Sequence, residues 1–226
     1  MGKWMKSHSL SVAAILLFLL SFVGQVLTGR ADYNQDQEDH GEAPVSLAQY
    51  FGTGHFGEAT LENWESEFLQ MAVFIFLTAF LVQRGSAESR KPDDDPQAGE
   101  EPFDEDPRKH VNDPKAPWPV RRGGVALALY RNSLSIVLFV LFLLSFAGHA
   151  ATGAVAFSEE QKAHGGQPVS ALGYMATPHF WFESLQNWQS EFLSVFAIAV
   201  LSIWLRQQGS PESKPVHAPH EQTGAE

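Results

Sequence analysis

Two long apolar runs of this chain, Leu10–Leu27 and Leu134–Phe157, hold no Asp, Glu, Lys or Arg. Each is close to the roughly 20 residues that a helix, rising about 1.5 Å per residue, needs to cross a bilayer's hydrocarbon. Backbone in lipid must satisfy its own polar groups, so such segments are helices or parts of closed barrels. The two runs therefore predict membrane-spanning helices. A mean hydropathy of -0.14 hides them, because it averages over long polar segments. The 226 residues include no cysteine, which excludes disulfides and thiolate metal sites. Lys3 and Lys6 ahead of the first run have the look of a signal peptide's basic region. The same run recurs mid-chain, however, so we expect a retained helix.

SLSVAAILLFLLSFVGQVLTG at Ser9–Gly29 returns as SLSIVLFVLFLLSFAGHAATG at Ser133–Gly153, and ENWESEFL at Glu62–Leu69 returns as QNWQSEFL at Gln186–Leu193. Sliding the chain by 124 residues aligns Ser9–Ser89 with Ser133–Ser213 without a gap, and roughly 36 of 81 positions are identical. The expected fold is an all-α membrane protein of four transmembrane helices, arranged as two tandem, parallel-repeat hairpins. The first repeat covers 1–89, with spans at about 9–29 and 62–83, and the second covers 125–213, with spans at about 132–153 and 186–206. Thr60 and Ser184 are the expected N-caps of the second helix in each hairpin, with Gly85 and Gly209 as C-cap glycines. Residues 90–124 form an acidic, Pro-rich linker, and 214–226 a tail; both have the composition of disordered segments.

Basic residues set the orientation. The two inter-helix loops carry only Arg30 and Lys162, whereas Arg84, Arg121, Arg122, Arg131 and Arg206 lie at the other ends. By the positive-inside rule the N-terminus, linker and C-terminus are cytoplasmic, in a multi-pass protein of the cytoplasmic membrane.

Three sets of recurring residues are candidates for function. Ser21, Gly24 and Thr28, with Ser145, Gly148 and Thr152, lie on one helix face and suit close helix packing in lipid. Asn63 and Glu67, with Asn187 and Glu191, form a polar stripe, expected at the depth of Gln25 and His149. An outer-face polar site is one reading of these carboxylates, and a Glu capping its helix N-terminus is the other. The outer loops repeat His40, Tyr50, His55 and Phe56 as His164, Tyr174, His179 and Phe180. With Trp64 and Trp188, the Tyr and Phe residues suit an interfacial aromatic belt, and Ser46 and Ser170 suit caps of a short surface helix. The four His have the chemistry of borderline-metal ligands, though their spacing matches no compact motif. A haem clamp is disfavoured because the position matching His149 is Gln25.

The blocks SFVGQVLTG, HGEAPVSL, GHFGEATLENWESEFLQM and QRGSAES resemble an uncharacterised family of small bacterial inner-membrane proteins, domain of unknown function 6766. The resemblance covers both repeats and implies a bacterial membrane protein without assigning an activity. The second copy departs from the first at Glu65, which becomes Gln189, and at Gly57-Glu58, which become Trp181-Phe182. A site needing those acids would exist in the first half alone.

No phosphate loop, nucleophile elbow or basic aromatic surface occurs, and the net charge of -11 disfavours nucleic acid. The leading expectation is a non-enzymatic structural or accessory membrane protein, whose outer face meets lipid or another membrane or envelope protein, with no cofactor. A small transporter or channel using Glu67 and Glu191 is the alternative, and a metal- or redox-linked protein using the repeated His is a third. Whether the halves meet within one chain or across a homo-oligomer is left open by sequence.

Overall fold

The computed structural model describes residues 7–96, 98–99 and 105–224. Among them all regular structure is helical: α1 (Ser9–Asp39), α2 (Leu47–Tyr50), α3 (Gly54–Thr78), a 3-10 turn at Pro107–His110, α4 (Trp118–Arg122), α5 (Gly124–Tyr130), α6 (Ser133–Ala163), α7 (Ala171–Met175) and α8 (Pro178–Leu201). Two of these helices, α1 and α6, are long and apolar enough to cross a membrane, and only 6% and 22% of their most apolar windows are buried. Leu16, Leu20, Leu134 and Leu144 point outward. Exposing such side chains to water costs roughly 25 cal/mol per Å², a cost that lipid removes because its tails are as apolar as leucine.

Each long helix continues beyond its apolar run as a polar extension, of 12 residues to Asp39 and 6 residues to Ala163, ending beside His40 or His164. Gly41 and Gly165 then take φ of +74° and +78°, the left-handed conformation that glycine adopts without a Cβ clash and that lets a helix stop sharply. The following loop is tied back to the extension at matching positions. Asn34 Oδ1 accepts from Val45 N at 2.7 Å, and Ser158 Oγ from Val169 N at 2.9 Å. The short helices form where expected. Ser46 makes a reciprocal capping box with Gln49, and Ser170 Oγ accepts from Gly173 N at 3.1 Å.

Where α3 and α8 begin differs from the sequence expectation. Thr53 Oγ1 accepts from Phe56 N at 3.2 Å and Thr177 Oγ1 from Phe180 N at 3.3 Å, so these threonines open the helices. Pro178 suits the first helical position because its missing N–H would have no partner there. Thr60 and Ser184 lie well inside the helices and are buried, 6% and 1% exposed. Glu67 is therefore several turns from the α3 start, and the capping role weighed for it does not hold.

The far ends also come earlier than residues 83 and 206. Thr78 Oγ1 bonds back to Ile75 O at 3.1 Å, and Ala79 and Phe80 tighten onto Phe76 O and Leu77 O. Such hydroxyl back-bonding competes with the helical ladder. The freed carbonyls find arginines: Arg90 Nη1 donates to Ala79 O, and Arg206 Nη1 to Ser202 O and Ile203 O, at 3.1 to 3.2 Å.

The chain divides into two compact units, Met1–Leu61 with Ala147–Trp181, and Glu62–Phe146 with Phe182–Glu226. In the second, the tail expected to be disordered is docked. Lys214 is 1% exposed, and its ammonium donates to Gly85 O at 2.5 Å, His220 O at 2.8 Å and Gln222 O at 2.9 Å. Thr223 Oγ1 takes Gly85 N, and Gly224 N donates to Ser86 O, both at 2.9 Å. The correction has a simple cause: one buried cation gathers carbonyls from both segments, which a count of hydrophobic residues does not foresee. In the linker, residues 97 and 100–104 lie outside the described residues. The described remainder makes turns, the 3-10 turn at Pro107–His110 and the short helix α4, with an exposed Arg84–Asp94 ion pair and Arg122 over the Trp118 ring at 5.4 Å.

Glu88, beside this clasp, has its carboxyl pushed above the usual carboxylate range, first by burial, then by the charge and hydrogen bond of Glu212. A raised folded-state value means that the folded protein holds a proton the unfolded chain releases. The stabilising contribution is complete below the ordinary carboxylate value and is lost as pH rises through the raised one. Exchange protection of the 84–89 segment should thus be greater near pH 5 than near pH 8, taken as about those values. Glu88→Gln should flatten this dependence, and an unchanged slope in that variant would remove the Glu88–Glu212 pair as its cause.

Candidate functional site

The first unit is built around aromatic rings. Tyr50, Tyr174 and Phe180 are 2%, 0% and 0% exposed, so they form core and cannot serve in a surface belt. His149 is also fully enclosed, stacked on Phe180 at 4.8 Å and edge-on to Tyr174 at 6.2 Å. Phe56 packs against Phe22, Tyr50 and Phe51 at centroid distances of 5.0 to 6.2 Å. Among the six aromatics expected at an interface, Trp64 stays exposed at 38%.

Each tyrosine hydroxyl reaches a different partner. Tyr50 Oη lies 3.0 Å from His55 Nδ1, and Tyr174 Oη donates to Glu58 Oε1 at 3.0 Å. Burial, then the Asp32 carboxylate, holds the Tyr50 phenol above its ordinary range, so it stays protonated at neutral pH. Glu58 is one of the acids absent from the second copy, and here it serves the second copy's tyrosine.

The small-residue faces are unequal. Ser145 is buried, and a Cβ on Gly148 would lie 2.7 Å from Leu61 Cδ1, as a packing face requires. Ser21 and Thr28 are exposed, and nothing lies within 4 Å of a Cβ on Gly24. Close approach in the first half comes instead from Gly54 and Gly57, whose added Cβ atoms would meet Ala156 N and Thr152 Cγ2, both at 2.5 Å. Gly54 pairs with Pro178 in the repeat, so the repeat itself gave no cue to this contact.

The residues of the expected polar site are divided between the units. In the first, Gln25 Nε2 bonds Thr60 Oγ1 at 3.4 Å and Ala59 O at 3.5 Å. In the second, Asn187 donates to Glu62, Trp188 Nε1 donates to the fully buried Glu65 at 3.0 Å, and Gln70 bonds Ser194 at 3.4 Å. Asn63 and Glu67 lie on an exposed side of α3, and Glu191 is half-buried. Glu65 was noticed in the sequence only as a departure between copies. Its solitary character was the signal that it had acquired a partner.

The four repeated histidines do converge. His40, His55, His164 and His179 line one cleft of about 600 Å³ at the ends of the polar extensions, wholly within the first unit. Asp36, Glu42, Glu58, Glu159 and Glu160 also line it, with Lys162 as the basic residue. His40 Nδ1 lies 2.9 Å from Asp36 O, and His164 Nδ1 lies 2.9 Å from Glu160 O, each ring turned back on its own helix. The two rings face each other edge to face, with centroids 6.4 Å apart. His55 leans toward Asp32, Nε2 to Oδ2 3.8 Å, and His179 packs beside Phe157 at 5.5 Å.

These features define a helical protein with two helices able to cross a membrane and an imidazole- and carboxylate-lined cleft beyond their apolar runs. The chain belongs to the family described as Domain of unknown function (DUF6766), whose model matches residues 1–225. Comparison with curated proteins and with solved structures yields no match.

Proposed function

We propose that this chain is a non-enzymatic accessory protein of the bacterial cytoplasmic membrane, built from two duplicated hairpins and so spanning four times. Its termini are cytoplasmic, and its working site is the outer cleft that collects the four repeated histidines. The observation that carries this reading is the convergence of all four on one concave surface, His40 and His164 at the ends of the polar extensions of the apolar helices α1 and α6, and His55 and His179 in the first turns of α3 and α8. Met71, Phe76, Leu77, Phe196 and Leu201 add exposed apolar surface on α3 and α8, which supports assigning these helices to the bilayer as well. A cleft rich in ligands and recurring capping bonds suits binding more than turnover. The transport reading draws less support, because Glu67 lies on an exposed face of α3.

The natural absence of cysteine makes topology directly testable. Single cysteines at Asp39 and Ala163 should react with a membrane-impermeant maleimide in intact cells, and one at Lys115 should react only after permeabilisation. Protection of Asp39→Cys with labelling of Lys115→Cys would reverse the orientation. Opposite behaviour of Asp39→Cys and Ala163→Cys would remove the four-span parallel arrangement.

A further inference from the structure

We propose that the cleft between the ends of α1 and α6 binds a divalent transition-metal cation of the zinc type, with His40 and His164 as its imidazole ligands. This inference rests on reading that cleft as the protein's working site.

Four observations point to such an ion. First, the tautomers are set: each Nδ1 lies 2.9 Å from a carbonyl oxygen, which fixes its N–H there and turns the lone pair to Nε2. This is the arrangement by which metal-binding histidines are oriented and made more basic. Second, the two rings are within reach of one ion. With a metal–nitrogen distance of about 2.0–2.1 Å, an imidazole centroid sits roughly 3.2 Å from the ion, and two such rings in a tetrahedral site are about 5.2 Å apart. The observed centroids are 6.4 Å apart and both rings are exposed, so binding draws them together by about 1 Å.

Third, the field favours a cation. Five carboxylates against Lys162 line the cleft, and both histidines stand at helix C-termini, the negative ends of the helix dipoles. Fourth, the donor set selects the class of ion. Imidazole suits zinc, nickel or copper(II), whereas magnesium and calcium take oxygen ligands, and the chain has no thiolate to offer softer ions. Glu42 and Glu159 line the same cleft and are the carboxylates within it that an ion held by the two imidazoles would draw in. His55 is held by Tyr50 and Asp32, which makes it a structural neighbour rather than a ligand.

The test uses the full chain in mild detergent, stripped with chelator and dialysed against zinc in the presence of excess magnesium. We expect saturable binding of about one zinc per chain. Combined His40→Ala and His164→Ala should weaken it by more than about a hundredfold, and His110→Ala, outside the cleft, should leave it nearly unchanged. Both histidines are exposed, so the double variant should keep its circular dichroism. No saturable zinc, or undiminished zinc in the folded double variant, overturns the proposal. Sealed vesicles of either orientation then separate it from the topology: zinc reaching the site only from the cytoplasmic side keeps the metal site and overturns its outer placement.

Discussion

Gly54→Leu should destabilise the protein by about 3 kcal/mol, the upper range for forcing extra carbon into a packed contact. A Cβ at Gly54 would lie 2.5 Å from Ala156 N and 2.9 Å from Thr152 O. These are backbone atoms of α6, which cannot swing aside as a side chain can, so the helices must separate. Gly24→Ala is the matched control, because a Cβ there meets nothing within 4 Å. Alanine in mid-helix should even add about 0.5–1 kcal/mol. The measurement is the unfolding midpoint of each variant in the same detergent, together with its zinc affinity. Equal midpoints for Gly54→Leu and the parent would mean that the close approach of α3 and α6 does not exist in the detergent-solubilised protein.

Lys214→Ala is expected to release the C-terminal tail while leaving the helices intact. Its ammonium is the common donor to Gly85 O, His220 O and Gln222 O, and these carbonyls would lose a buried charged partner together. A local loss of about 2 kcal/mol corresponds to roughly a thirtyfold rise in the open population. Hydrogen exchange should therefore quicken by that factor at residues 85–87 and 222–224, with α6 unchanged. Lys214→Arg should not restore protection, since a planar guanidinium cannot aim its donors as a tetrahedral ammonium does. Unaltered exchange at Gly85 in the alanine variant would show that the tail is held by something else.

Much of the fold was legible because it is local. The charge-free runs gave the long helices, and Ser46 and Ser170 gave the short ones, since a cap and its helix are neighbours in sequence. The starts of α3 and α8 were misplaced by 7 residues, Thr60 against Thr53 and Ser184 against Thr177, because Thr53 and Thr177 precede a glycine and a proline, residues usually taken to interrupt helices rather than open them. Burial of Tyr50, Tyr174 and Phe180 was not legible, because an amphipathic ring fits a membrane interface and a small core equally well. The histidines were named as a set from the repeat alone. Only the fold could show His40 and His164 facing each other while His149 is enclosed by rings. Glu58, Glu62 and Glu65 carry the sharpest lesson. Each is an acid in the first copy alone, and each accepts a hydrogen bond from a residue of the second: Tyr174, Asn187 and Trp188. The likeness of the two stretches led to the hairpin reading, and their differences mark residues of the first that bond residues of the second.

The lysine clasp also imposes an order on biogenesis. Gly85 is synthesised well before Lys214, and the ammonium that pairs its carbonyl follows 129 residues later. Until then the turn after α3 is held only through Ser86 and Ala87 at Ser202, and a chain arrested before Lys214 would present its Gly85 carbonyl unclasped and the turn more open to proteolysis. Arrival of a distant segment is thereby recorded in the fold, at a position far upstream of it.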